Sequence, residues 1–193
     1  MCQVYLSSSS FWSLLVRMDE DLAAEVRCTG CRACGGVLHS ARYPRKPRGM
    51  GRRVLGEGYD RRLSFCCARE GCRRRTTPPS VRFLGRRVFL GAMVVMVTAL
   101  SAGLTGQRVA ALCEQFGVSA RTLRRWRRWW LEDFVASSLW SGLRARLATP
   151  VTIERLPDSL LERCTGDDPA QRLTQVLKWV APLSTARYSR EVF

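Results

Sequence analysis

Apolar residues recur at helical spacing early in the chain. Phe11, Leu14, Leu15, Met18 and Leu22 fall on one side of Phe11–Val26, which predicts a first helix after a loose polar start. The periodicity then stops. Residues 27–80 are rich in Gly, Pro and Arg and carry no helical repeat, so a short-stranded module is expected there. Thr76-Thr77-Pro78-Pro79-Ser80 punctuates its end. Val88–Leu104 contains no charge and is flanked by Arg86, Arg87 and Arg108. A run of this length approaches the lower limit for a membrane span, but Gly91, Thr98, Ser101 and Gly103 dilute it. A helix apolar all round also suits the centre of a globular domain, and that reading is preferred.

Two short amphipathic helices with a tight corner come next, over residues 107–130. Val109, Leu112, Cys113 and Phe116 face inward on the first, and Gly117 permits the turn. Val118 plugs the corner and Ser119 is placed to cap the second helix. Leu123, Trp126 and Trp130 then recur on a buried face, leaving Arg121, Arg124, Arg125 and Arg128 outward. This is a helix-turn-helix pattern within a helical domain of residues 81–147. Beyond it, Phe134–Leu147, Leu156–Cys164 and Ala170–Val180 predict short helices, with Pro182 stopping the last. The expected boundaries are therefore an N-terminal helix with a loose start (1–26), a stranded module (27–80), the helical domain (81–147), and C-terminal helices with a tail (148–193). The fold class expected is a small module of short β-strands followed by an all-α helix-turn-helix domain and short C-terminal helices.

Charge sharpens this division. The 193-residue chain carries a formal net charge of +16. Residues 27–87 hold 17 Lys or Arg against three acids, and residues 105–131 hold six Arg against one acid. Residues 132–193 are balanced. Such clustering marks surfaces that face a polyanion. All the basic residues except Lys46 and Lys178 are Arg, whose fork suits phosphate oxygens and guanine edges.

The nine cysteines add a candidate metal site. Cys31-Arg-Ala-Cys34 is followed by Gly35-Gly36, the form of a metal-binding knuckle, and Cys67-Ala-Arg-Glu-Gly-Cys72 supplies a second close pair. No secretory signal is read at the start, so a reducing compartment and zinc are favoured over disulfides. Leu63, Phe65 and Cys67 share one strand face, which selects Cys67 over Cys66. One structural Zn2+ held by Cys31, Cys34, Cys67 and Cys72 is the expectation, which makes the short-stranded module a small zinc ribbon, with Cys66 and Cys28 as alternative ligands. His39 is read as a strand or loop residue, and Cys113 as packing. Between the pairs, Arg45, Lys46 and Arg48 lie on a Pro-stiffened loop suited to a phosphate backbone, and Arg73, Arg74 and Arg75 extend that patch. On the second helix, Ser119, Ala120, Arg121, Arg124 and Arg125 are placed over base edges, while Arg127 and Arg128 reach phosphates.

The stretches CRACGG and FCCAREGCRRRTTPPS resemble the N-terminal zinc ribbons of bacterial insertion-sequence transposases and their regulatory partners. The stretch QRVAALCEQFGVSARTLRRWRRWW resembles the helix-turn-helix of transposase-type proteins. The order of the two is similar to that of the small accessory proteins of simple insertion sequences, which bind element ends and repress transcription. The likeness covers residues 31–131 and departs from the usual ribbon in the four-residue spacing between Cys67 and Cys72. It implies a cytoplasmic, nucleoid-associated protein that binds double-stranded DNA, with a transposase or recombinase encoded nearby as a possible partner. A two-metal catalytic core needs three carboxylates on a separate α/β unit, and the part after residue 131 is short for one, so no enzyme activity is expected. RNA binding by the ribbon stays open. The other class of reading is an adaptor anchored by Val88–Leu104 or docked to protein through the ribbon.

Overall fold

A computed structural model describes residues 9–46, 49, 58–84, 88–101 and 105–185. Arg48, Arg52, Arg53, Arg86 and Arg87, the expected loose start up to residue 8 and the tail beyond residue 185 lie outside the described residues.

Helix α1 (Ser9–Thr29) is longer at both ends than the apolar spacing indicated. Its buried stripe is Phe11, Leu15, Asp19 and Ala23, an unbroken i, i+4 series, with Trp12 beside it. Leu14 lies outside this stripe and is exposed; Met18 and Leu22 are half-buried at its edge. The upper half of the stripe packs into the main core and Ala23 into a smaller one, so a single helix spans both cores.

The smaller core belongs to the stranded module. Strands β1 (Leu38–Ser40), β4 (Phe65–Cys67) and β5 (Arg75–Thr76) form an antiparallel sheet in the order β1-β4-β5. Leu38 stands opposite Cys67, and Phe65 opposite both Ser40 and Thr76. Strands β2 (Tyr43–Pro44) and β3 (Arg61–Arg62) pair separately. A third antiparallel pair, β6 (Phe83–Leu84) with β7 (Val88–Phe89), leads into the helices.

Helix α2 (Leu90–Ser101) is the charge-free segment, shortened because its first two residues pair with β6. Ala92, Met93, Val94, Val95 and Val97 are all buried, and the helices at Gly106–Phe116, Ala120–Leu131, Asp158–Leu161 and Pro169–Val180 pack around it. Among the described residues no helix is long and apolar enough to cross a membrane. Helices α3 (Gly106–Phe116) and α4 (Ala120–Leu131) follow.

The single helix expected over Phe134–Leu147 is two: α5 (Asp133–Ala136) and α6 (Ser138–Arg144). Ser137 divides them because its hydroxyl accepts the Trp140 amide at 3.2 Å and caps α6 instead of continuing α5. Likewise, the helix expected over Leu156–Cys164 is reduced to α7 (Asp158–Leu161), preceded by a 3-10 turn at Ile153–Arg155. Helix α8 (Pro169–Val180) has Asp168 as its cap, accepting from the Ala170 amide at 2.9 Å. Pro182 does end it, but the chain tightens into a 3-10 turn at Ala181–Ser184 before leaving.

Candidate metal centre and nucleic-acid interface

The first cysteine pair is shaped by its backbone. The Cys31 carbonyl accepts the amides of Cys34 (3.2 Å) and Gly35 (2.7 Å), and the Cys31 amide donates to the Gly36 carbonyl (2.9 Å). A Cβ on Gly36 would sit 3.1 Å from Cys67 Sγ and 3.3 Å from Cys34 Sγ, so a side chain there would push the sulfurs by a few tenths of an ångström.

The second pair shows how a four-residue spacing is accommodated. Ala68 still extends the sheet, its amide donating to the Val37 carbonyl at 2.9 Å. The tight turn is confined to Arg69–Cys72, where the Cys72 amide meets the Arg69 carbonyl at 3.1 Å. Arg73 then takes a positive φ of 41°, in the left-handed region that Gly35 occupies after Cys34. The two pairs thus end alike, although one leaves with glycine and the other with arginine.

All four sulfurs of Cys31, Cys34, Cys67 and Cys72 lie within 4.8 Å of one another. Cys31 and Cys72 are 3.8 Å apart at sulfur, and Cys34 and Cys67 3.5 Å. A tetrahedral ion with metal–sulfur bonds of about 2.3 Å separates its ligand sulfurs by about 3.8 Å, so the cluster is sized to hold one metal ion. Cys66 points elsewhere, its thiol donating to the Arg73 carbonyl at 3.4 Å. Cys28 and His39 are exposed.

The thiols are electrostatically unequal. A hydrogen bond from the Gly36 amide, then those from the other thiols, draw the Cys34 thiol down to about 6. The Arg69 amide pulls Cys67 the same way, but burial and its three thiol neighbours outweigh it and push Cys67 up to about 12. Ionised Cys34 therefore opposes ionisation of Cys67, and a cation held among the sulfurs would offset that opposition.

Two basic segments meet near this centre. The Arg45 guanidinium lies 4.6 Å from the centroid of the Tyr43 ring and donates to its hydroxyl at 2.7 Å, while Arg75 lies 5.5 Å over the same ring. Lys46, Arg73, Arg74 and Arg75 are exposed and Arg45 is half-buried. Among the described residues none of these five pairs with an acid.

Not every arginine counted in the basic excess reaches the surface. Arg82 and Arg62 are buried at 2 % and 1 % exposure. Arg82 Nε bonds Asp19 Oδ2 at 2.8 Å, and its other nitrogens donate to the carbonyls of Tyr59 and Arg61. Asp19 also accepts from the Ser80 hydroxyl (2.5 Å) and the Val81 amide (2.7 Å). Arg62 donates to the Pro78 carbonyl at 2.6 Å and to Ser184 Oγ at 3.3 Å, and burial lowers it to about 10, still charged at neutral pH. This network ties α1, the stranded module and the C-terminal turn together. Its one sign in the sequence is an aspartate placed four residues from Leu15 and from Ala23 on the apolar stripe.

The helix pair is built by its caps. Thr105 accepts the Arg108 amide at the start of α3, and Gly117 ends that helix at φ 62°. Ser119 Oγ accepts the Thr122 amide at 3.2 Å and starts α4. Leu123, Trp126 and Trp130 are buried as their spacing indicated, and so are Thr122 and Trp129. Trp129 was not foreseen; it joins Trp130, Phe134 and Trp140 in an aromatic cluster with centroid separations of 4.7–5.7 Å. Ser119, Arg121, Arg124, Arg125 and Arg128 are exposed, while Ala120 and Arg127 are half-buried. Arg128 makes a long, exposed contact of 3.9 Å with Glu132.

No curated protein and no solved structure matches the chain. The family model described as a homeodomain-like domain matches residues 95–135, from the second half of α2 through α3 and α4 into α5. Four cysteines able to hold one metal ion therefore accompany a homeodomain-like helix-turn-helix, an arrangement that suggests binding to double-stranded DNA.

Proposed function

We propose that this protein reads a specific sequence in double-stranded DNA through α4, and that a structural zinc ion held by Cys31, Cys34, Cys67 and Cys72 staples the neighbouring basic module. The observation carrying this reading is the two-sidedness of α4. Leu123, Trp126, Trp129 and Trp130 fix one face in the core, and Arg121, Arg124 and Arg125 stand free on the other, just after a capped N-terminus. In helix-turn-helix proteins that end of the second helix lies over base edges. Arg127 and Arg128, with Arg45, Lys46, Arg48 and Arg73–Arg75, serve the phosphate backbone. Zinc is the fitting ion because four thiolates at tetrahedral spacing form a closed site with no open coordination position.

The biological role that fits the resemblance is a transposition accessory factor or transcriptional regulator acting in the nucleoid, with a separately encoded transposase as partner and no chemistry of its own. Selecting bound duplexes from a random 20-bp pool tests the DNA reading. Enrichment of one sequence is expected, and Arg124→Ala with Arg125→Ala should erase the preference, each lost base contact costing about 1–3 kcal/mol. General duplex affinity should fall less than the preference does. Equal enrichment by the wild type and the double variant would show that α4 does not read DNA.

A further inference from the structure

The segment joining the two cysteine pairs reaches the helix-turn-helix itself. Gly49 lies in that segment, is buried, and adopts φ +105°. A Cβ built on it would stand 3.1 Å from Ala92 Cβ of α2 and 3.1 Å from Trp126 Cη2 of α4. The backbone of the stranded module therefore sits directly on the indole that anchors the Arg-bearing helix. Ten residues later Tyr59 enters the same core, its ring 5.1 Å from Trp12 and 5.3 Å from Phe89, with its carbonyl held by Arg82 at 2.7 Å.

We propose that the metal centre positions α4: by closing the two cysteine pairs it seats Gly49 against Trp126 and Tyr59 against Trp12 and Phe89, so that metal occupancy controls how the helix is presented. The physical reason is the difference in what holds each end. Cys31, Cys34, Cys67 and Cys72 pack with Ala23, Val26, Leu38, Leu63 and Phe65, too little apolar surface to fix the segment alone. With the ion bound, the ends of the segment are pinned, and Gly49 and Tyr59 are delivered to the core at little further entropic cost. Without it, Gly49 leaves Trp126, and a void forms under α4 on the side opposite Arg121, Arg124 and Arg125. The link is mechanical; its consequence for DNA rests on the reading of α4 given above.

Hydrogen exchange on the full-length, zinc-loaded chain tests the link without DNA. Stripping zinc with a chelator should accelerate exchange of the α4 amides at least about tenfold while α8 keeps its protection. Gly49→Ala should accelerate α4 by a smaller factor with one zinc per chain retained, because only the seat is changed. Arg124→Ala with Arg125→Ala should leave α4 exchange as in the wild type. Unchanged α4 exchange in the stripped protein, or in Gly49→Ala, would overturn the proposal, and so would loss of α4 and α8 protection together. A second arm measures discrimination between the duplex selected from the random pool and an unselected 20-bp duplex. Stripping zinc should reduce that discrimination at least about tenfold. If the wild type selects no duplex, the DNA reading fails while the exchange arm still decides the mechanical link.

Discussion

The smaller core buries Ala23 of α1 with Cys31, Leu38, Leu63, Phe65 and Cys67 of the stranded module, two of them prospective metal ligands, whereas the main core is one continuous cluster from Phe11 to Leu183. In the helical region the apolar faces of α2, α4 and α8 fill the core, and Thr105, Ser119, Ser137 and Asp168 cap helices. In the module, strands of two or three residues have little surface to bury, and four sulfurs able to hold one ion lie among them. One part of the chain is folded by area removed from water; for the other we propose ligation. Between them lies a third kind of interaction, the buried Asp19–Arg82–Ser80 network. It fixes orientation because a buried charge tolerates few geometries.

The largest effect that would sharpen this contrast comes from the metal. Cys67→Ser, or chelation, should abolish exchange protection across β1, β4 and β5 while α8 keeps nearly all of its own. Simultaneous loss in both regions would show that they do not differ in what folds them. Asp19→Ala strikes the junction. It leaves Arg82 buried without a counter-charge and Ser80 and Val81 without an acceptor, so thermal unfolding should register about 3–5 kcal/mol of destabilisation. A loss below about 1 kcal/mol would mean that water reaches Arg82 and that the junction is not a fixed joint. The smallest effect lies within the helical region. Ser119→Ala removes one capping bond at the head of α4 and should cost about 1 kcal/mol, seen in denaturant unfolding, without changing the metal content.

Much of the helix-turn-helix was legible from residues 107–130 because local rules place it: a 3–4 apolar repeat, a glycine at the corner and a serine before the second helix. Cys67 was separable from Cys66 by strand alternation alone, since the two faces of a strand differ by one residue. Other features were not legible. The expected Phe134–Leu147 helix is divided because a serine hydroxyl competes with the helical ladder, and that choice depends on Phe134 and Trp140 finding a common core. Trp129 belongs to the same cluster for the same reason. Arg62 and Arg82 look like any other member of the basic excess, and nothing local reveals that partners 63 residues away, for Arg82 and Asp19, and 122 residues away, for Arg62 and Ser184, draw them inside.

By itself, then, the sequence determined the caps, the turn, the outward arginines of α4 and which cysteines could share an ion, all set by residue type and spacing over a few positions. Only the tertiary structure decided which arginines are surface and which are core. It also decided that one helix serves two cores, and that Gly49 of the cysteine module rests on Trp126 of α4. Those outcomes depend on segments far apart in the chain competing for the same buried space, and no local pattern encodes who wins it.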